Sequence, residues 1–294
     1  MARTNIIIVG IALLLCACTP PADNEKPLVV TSIAPIGDWI AAVGGADIDV
    51  LVLVPPSSSP HTFELSPGQL RDASRAALVV LNGAGLEYWS DRLLDNIQDK
   101  HTPVLRLSDR VELLQAGHDD HAGHNHGNVG NPHFWLDPSI AAGAVRDIAQ
   151  SLGDLLPMKR DSITARAAVL AASLEQLDRE ISSTVRLWRQ RRFIGDHSSW
   201  VYFARRYGLE EAGVIESVPG REVSARQMTS LISTMRKHGV DVVFADRRKS
   251  TRAADILAEE TGARIARLDP MGAEGEGYIQ MMRTNLNEMT RVMR

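Results

Sequence analysis

The chain has 294 residues, 44% of them hydrophobic, and a net charge of −4 from 32 Lys+Arg against 36 Asp+Glu. That is enough apolar material for one large soluble domain or two lobes, and the near-neutral balance leaves no basic footprint for nucleic acid. Both cysteines, Cys16 and Cys18, lie at the N-terminus. The body therefore has no disulfide pair and no thiolate metal site, and any metal must be held by His, Asp or Glu.

Arg3, an apolar run from Ile6 to Leu15 and the small residues after it mark residues 1–17 as an export signal. The run is shorter than the roughly 20 residues a bilayer span needs. Leu15-Cys16-Ala17-Cys18 is similar to a bacterial lipobox, which makes Cys18 a lipidated first residue; a simply cleaved secretory signal is the other reading. Residues 18–27 are polar and proline-rich, as a tether should be.

Residues 28–157 read as an N-terminal α/β lobe. A strand over Leu28–Ser32 is followed by a helix over Pro35–Val43. The aliphatic run Ile48–Val54 predicts a buried parallel strand, ending in a loop of Pro and Ser up to Pro60. Ser66-Pro67 is an N-cap followed by proline at the first helical position. A strand over Ala77–Leu81, a helix over Leu86–Ile97 and a strand over Val104–Leu107 come next. Asp137-Pro138, with Asp137 as cap, opens a helix to about Leu156.

Residues 158–190 contain neither glycine nor proline, and Ile163, Ala167, Leu170, Leu174, Leu177, Ile181, Val185 and Trp188 recur every three or four positions. This predicts one long amphipathic helix, a rigid strut between lobes. Residues 191–294 then repeat the alternation. The strands are Phe193–Gly195, Glu211–Ile215, Val240–Ala245 and Ile265–Leu268. The helices are Trp200–Tyr207, one opened by a capping box at Ser224 and Gln227, Arg252–Thr261, and a last one from about Tyr278. The fold class is α/β: two parallel-sheet lobes joined by one long rigid helix. Trp39, Trp89, Trp188 and Trp200 are assigned to the core.

Between the first lobe's last strand and its last helix lies a His-rich stretch. Its first part, residues 118–126, carries His118, His121, His124 and His126 among Asp, Gly and Asn. It has too little apolar material to bury a core and should be a solvated loop. Imidazoles at that density trap borderline metals weakly. Its second part, Asn131 to Pro138, places His133 among large apolar groups, where a ligand can be held firmly.

Ligands of open parallel sheets bind at the carboxyl ends of the strands. Four candidates stand at such places: His61, His133, His197 and Asp269. The same interval separates His61 from His133 and His197 from Asp269. Three imidazoles and a carboxylate make a reasonable closed tetrahedral zinc site. Taken singly, each has a plainer reading, as a solvated strand-end histidine or, for Asp269-Pro270, the start of a turn. His101 and His238 sit at polar helix ends and carry no metal role.

Four motifs in order resemble one family. They are Pro60-His61-Thr62-Phe63-Glu64-Leu65-Ser66-Pro67, Asn131-Pro132-His133-Phe134-Trp135-Leu136-Asp137-Pro138, the run from His197 to Leu209, and Leu268-Asp269-Pro270-Met271-Gly272. They are similar to the metal-binding motifs of the cluster A-I solute-binding proteins, the zinc- and manganese-binding components of bacterial ABC importers. The resemblance implies a metal held between two lobes by His61, His133, His197 and Asp269. It further implies a membrane permease as partner, a monomer outside the cytoplasm, and no enzymatic activity. An auxiliary zinc chaperone is a further possible partner. The His-rich loop and a histidine in the third motif, where manganese members often carry Glu, resemble the zinc-specific branch, and nitrogen ligands favour Zn(2+) over manganese. The loop is short and the mature chain lacks the cysteine pair of some Gram-negative zinc members, so the subgroup and the partner permease stay open. The alternatives are a manganese-binding homologue, a zinc-buffering lipoprotein without a permease, and a zinc metalloenzyme; for the last, no HExxH motif occurs.

Overall fold

A computed structural model describes residues 25–56, 58–97, 99, 101–115, 130–217, 221 and 223–294. The lipidation candidate Cys18 and the loop histidines His118, His121, His124 and His126 lie outside the described residues.

The first lobe runs β1 (Leu28–Thr31), α1 (Ala34–Gly44), β2 (Asp49–Val52), α2 (Pro67–Ala73), β3 (Leu78–Leu81), α3 (Ser90–Asn96), β4 (Val104–Arg106) and α4 (Pro138–Leu155). Next comes α5 (Arg160–Val185). The second lobe runs β5 (Arg192–Gly195), α6 (Val201–Tyr207), β6 (Glu210–Val214), α7 (Ala225–His238), β7 (Val242–Asp246), α8 (Arg252–Thr261), β8 (Arg264–Leu268) and α9 (Tyr278–Met293). The two sheets have the same plan, β2-β1-β3-β4 and β6-β5-β7-β8, and every pairing is parallel. In each, the chain leaves the first strand to one side and returns on the other, which opens a crevice at the carboxyl ends of the central strands.

Local chemistry explains most boundaries. Ser66 caps α2 with a complete capping box, its hydroxyl accepting from the Gln69 N–H while Gln69 reaches back. At α7 only half of that box forms: Ser224 accepts from the Gln227 N–H, but the Gln227 side chain donates to the Ile215 carbonyl and ties the helix to β6. Two expectations shift. The run Ile48–Val54 is not a buried strand throughout; β2 is a sheet edge, half-buried, and full burial falls on Leu53 and Val54 beyond it. The helix expected from Leu86 begins at Ser90: residues 87–90 form a turn closed by the Ser90 N–H on the Glu87 carbonyl, with the Glu87 side chain held back on the Asn82 and Gly83 N–H groups.

The linking helix α5 spans 26 residues, about 39 Å at 1.5 Å per residue. It is shorter than 158–190 because Pro157–Lys159 forms a separate 3-10 turn. At the other end the chain turns after Val185 while Trp188 stays buried. It is not a free-standing strut. Ile163, Ala167, Ala171, Leu174, Leu177, Ile181 and Val185 form one buried stripe that packs on α1, α4 and α9. Each large aliphatic side chain there contributes about 1.5–3 kcal/mol of burial. Through this stripe one apolar core runs from Val29 in the first sheet to Phe244 and Met289 in the second lobe. A smaller core, including Ile194, Leu231 and Leu257, fills the other face of the second sheet. The four tryptophans assigned to the core are all buried.

Candidate metal centre

His61 lies in the turn-rich loop after β2, His133 just before a single 3-10 turn that leads into α4, and His197 two residues beyond β5. The structure brings all three together: their ligand nitrogens lie within 4.8 Å of one another. The Nε2 atoms of His61 and His133 are 3.0 Å apart, near the roughly 3.3 Å separating two nitrogens about 2.0–2.1 Å from one tetrahedral zinc. His133 and His197 are almost fully buried, while His61 is partly exposed.

Hydrogen bonds fix which nitrogens face the centre. Asn131 Nδ2 donates to the Ser198 carbonyl at 2.6 Å, so its Oδ1 must face His133. That oxygen accepts from the His133 backbone N–H (2.9 Å) and from Nδ1 (3.0 Å). Nδ1 therefore carries the proton and the Nε2 lone pair points at the other histidines, the usual way a ligand imidazole is oriented. His197 Nδ1 faces Asp196 Oδ2 at 3.4 Å, leaving its Nε2 for the centre. Burial, followed by the neighbouring His61 and His197 and the charges of Lys249 and Arg248, holds the His133 pKa well below the usual imidazole range. His133 is thus neutral and ready to ligate at pH 7.

The loops are braced from beneath. Glu87 accepts from the Asn82 and Gly83 backbone N–H groups at 2.8 and 2.9 Å, and Asn82 donates to the Pro132 carbonyl beside His133. Burial pushes the Glu87 carboxyl up. Tyr88 Oη donates to the Phe63 carbonyl and holds the His61 loop. The backbone packs closely at Gly195: a Cβ there would meet Glu211 Oε1 at 2.6 Å and the His197 carbonyl at 3.1 Å.

The lobes are joined at the same place. Tyr202 Oη donates to the Asn131 carbonyl (2.7 Å), Trp135 Nε1 to the Pro270 carbonyl (2.8 Å) and Tyr278 Oη to the Trp135 carbonyl (2.6 Å), all three bonds buried.

Asp269 stands apart from the trio. Although 4% exposed, its carboxylate forms no group with any two of the histidines within 4.8 Å. Its Oδ1 accepts from the Met271 and Gly272 N–H groups, and its Oδ2 faces Arg247 Nε and Nη2. A second cation, Lys249, reaches Asp196 (3.1 Å) and also Glu216. Burial pushes the Asp196 carboxyl up, but the His197 hydrogen bond and the Lys249 charge outweigh it and leave it lowered. Asp137 is the cap foreseen for it, accepting from the Ser139 N–H. Sequence reading missed Asn131, Arg247, Arg248 and Lys249. Asn131 was discoverable, being two residues from a candidate ligand; the three cations carried no signal of their own.

A separate interlobe groove of about 400 Å³, lined in part by Leu107, Arg110, Asp137, Ile140, Tyr202 and Arg206, contains none of the histidines. Arg110 and Arg206 are paired, with Asp147 and Asp178, and we assign it no ligand.

Two parallel-sheet lobes bridged by one long helix, with three imidazoles converging at their junction, define a helix-linked, two-lobed solute-binding protein. The chain belongs to the family described as zinc-uptake complex component A, periplasmic, whose model matches residues 29–292. It is 26% identical to zinc-binding lipoprotein AdcA of Streptococcus pneumoniae (strain ATCC BAA-255 / R6), over 98% of this chain and 60% of AdcA. It is also 26% identical to the high-affinity zinc uptake system protein ZnuA of Bacillus subtilis (strain 168), over 96% of this chain and 95% of that protein. The chain thus spans 60% or 55% of the length of the AdcA proteins it matches. Among solved structures, a ZnuA crystal structure matches with a TM-score of 0.82 and 31% identity, covering 92% of this chain and 100% of that one. A ZnuA deletion mutant with zinc bound gives 0.79 and 30%, covering 92% and 98%.

Proposed function

We propose that this protein captures Zn(II) between its lobes and delivers it to the membrane permease of an ABC importer, without itself catalysing a reaction. The observation that carries this is the convergence of His61, His133 and His197 from three loops and two lobes, with the tautomer of His133 fixed by Asn131. Three nitrogen donors favour zinc over manganese. Asp269 is the fourth ligand, recruited from its arginine partners when the ion arrives, and the site then closes. His118, His121, His124 and His126 bind further zinc weakly. Work outside the cytoplasm, with the body tethered through a lipid on Cys18, fits a protein that must meet the ion before the membrane does. No helix among the described residues is long and apolar enough to cross a membrane.

The test is titration of metal-free protein with Zn(II) and Mn(II) in competition, on the full chain and on a variant lacking residues 118–126. One tight zinc site that survives the deletion and outcompetes manganese supports the reading. Equal preference for manganese, or loss of the tight site on deletion, overturns it. Ester hydrolysis by the zinc-loaded protein above that of free zinc would overturn the non-enzymatic part.

A further inference from the structure

Pairing of β7 with β8 sets Asp246 opposite Leu268, so the residues just beyond the two strands emerge side by side. Arg247 and Arg248 thereby meet Asp269, and the Arg247 N–H donates to the Leu268 carbonyl. Around the Asp269 carboxylate four donors are in place. Met271 and Gly272 N–H groups reach Oδ1 at 2.9 and 3.0 Å. Arg247 Nε and Nη2 reach Oδ2 at 3.1 and 3.0 Å. A carboxylate offers about four lone-pair sites, so this one is saturated.

The two arginines differ. Arg248 is fixed: it forks onto Asp246 at 3.1 and 2.7 Å, its side chain is 16% exposed, and it stands 3.4 Å from Asp269 Oδ1. Arg247 is 36% exposed and has a second carboxylate within reach, Glu276 Oε2 at 3.9 Å. It has somewhere to go.

We propose that Arg247 is a latch on Asp269, a positioning residue that competes with the cargo ion for Oδ2 and so sets how fast the ion is released. The inference rests on the reading of the histidine trio as a zinc site. An incoming dication seats on the three imidazoles while Asp269 stays on Arg247. Closure of the fourth position requires Oδ2 to leave the guanidinium, which then turns to Glu276. The reverse exchange, Arg247 retaking Oδ2, strips one ligand from the ion and starts its departure. The exchange starts with rotation of the exposed Arg247 side chain, while Oδ1 stays on its two backbone donors.

The experiment follows zinc release from loaded full-length protein into excess chromophoric chelator by stopped flow. Arg247→Gln should slow release by about tenfold, the effect of raising its barrier by about 1.4 kcal/mol. In an Asp269→Asn background the same substitution should change nothing, because the contested oxygen is gone. Slowing that persists in that background would assign the effect to charge alone and overturn the latch, as would release from Arg247→Gln no slower than from wild type. If Arg247→Gln does not fold, Arg247→Lys carries the test: it keeps the charge and loses the fork, and must slow release in the same direction. Wild-type protein that takes up no zinc, or holds it as tightly after His133→Ala, defeats the zinc-site reading instead. Zinc held at the trio with release insensitive to Arg247 defeats only the latch.

Discussion

The two lobes hold their candidate ligands by different means. In the first lobe, His133 is set by neutral hydrogen bonds that it donates to Asn131 Oδ1, beneath which lie the Asn82 and Glu87 contacts. In the second, both candidates sit among charges: His197 against Asp196, which Lys249 neutralises, and Asp269 between Arg247 and Arg248. A neutral amide partner fixes direction at little cost in proton competition. A charged partner can be exchanged for another charge, including that of an arriving ion. On the proposed reading, the first lobe aims its ligand and the second responds to the ion.

The comparison is broken most severely at the aimed ligand. His133→Ala should reduce zinc affinity by more than the ~10–100-fold that losing a group hydrogen-bonded to a ligand costs, as read by competition with a chelator of known affinity. Retention of tight binding would remove His133 from the site.

Asn131→Ala should cost ~10–100-fold in the same assay, with the ligands themselves intact. It frees the His133 tautomer and also leaves the Ser198 carbonyl without its donor across the lobes. An unchanged affinity would show that the imidazole is held by packing alone.

Acidity should act on both the empty and the loaded protein. The His133 pKa is lowered in the folded state by burial first and its histidine neighbours next. The unfolded chain therefore takes up this proton at higher pH than the folded one. The stability of neutral His133 is fully present above about pH 6.5, the unperturbed value, and is lost as pH falls below it. Zinc affinity should fall in the same direction, since protons compete for ligand nitrogens. Thermal melts should respond first, as pH falls below the unfolded value, and zinc affinity only at lower pH, through the depressed folded pKa of His133; an affinity that stays flat through acid pH to the point of unfolding contradicts imidazole ligation.

The smallest expected effect is on shape. The core is continuous through α5, and α5 carries neither proline nor glycine, the usual causes of a kink. Zinc should leave the radius of gyration nearly unchanged in small-angle scattering, with any response confined to side chains of the second lobe. A large decrease would mean that the lobes close as rigid bodies.

Much of this was legible along the chain. Ser66-Pro67 and Asp137-Pro138 open helices because a cap and a first-turn proline are local chemistry. The apolar stripe of α5 showed as a three-to-four-residue period. The strand ends pointed to His61, His133 and His197, and the structure gathers these three. What was not legible depended on neighbours distant in sequence. Whether Ile48–Val54 was buried depended on its place at the edge of the sheet, which no periodicity encodes. The helix after β3 began late because the Glu87 carboxylate folds back onto the Asn82 and Gly83 N–H groups, a contact that no local pattern announces.

The sequence by itself determined the alternating elements, the two-lobed α/β plan and the residues able to bind a borderline cation such as zinc, because periodicity, capping and side-chain chemistry are properties of short segments. Only the tertiary structure decided how those residues are partnered. Arg247 and Asp269 are 22 residues apart, and they meet because β7 and β8 pair in one register, Asp246 against Leu268. Asn131 can fix His133 only because its other end is held by Ser198 from the opposite lobe. A shift of one residue in that strand pairing would turn every side chain on the strand to the other face and leave the carboxylate facing different partners.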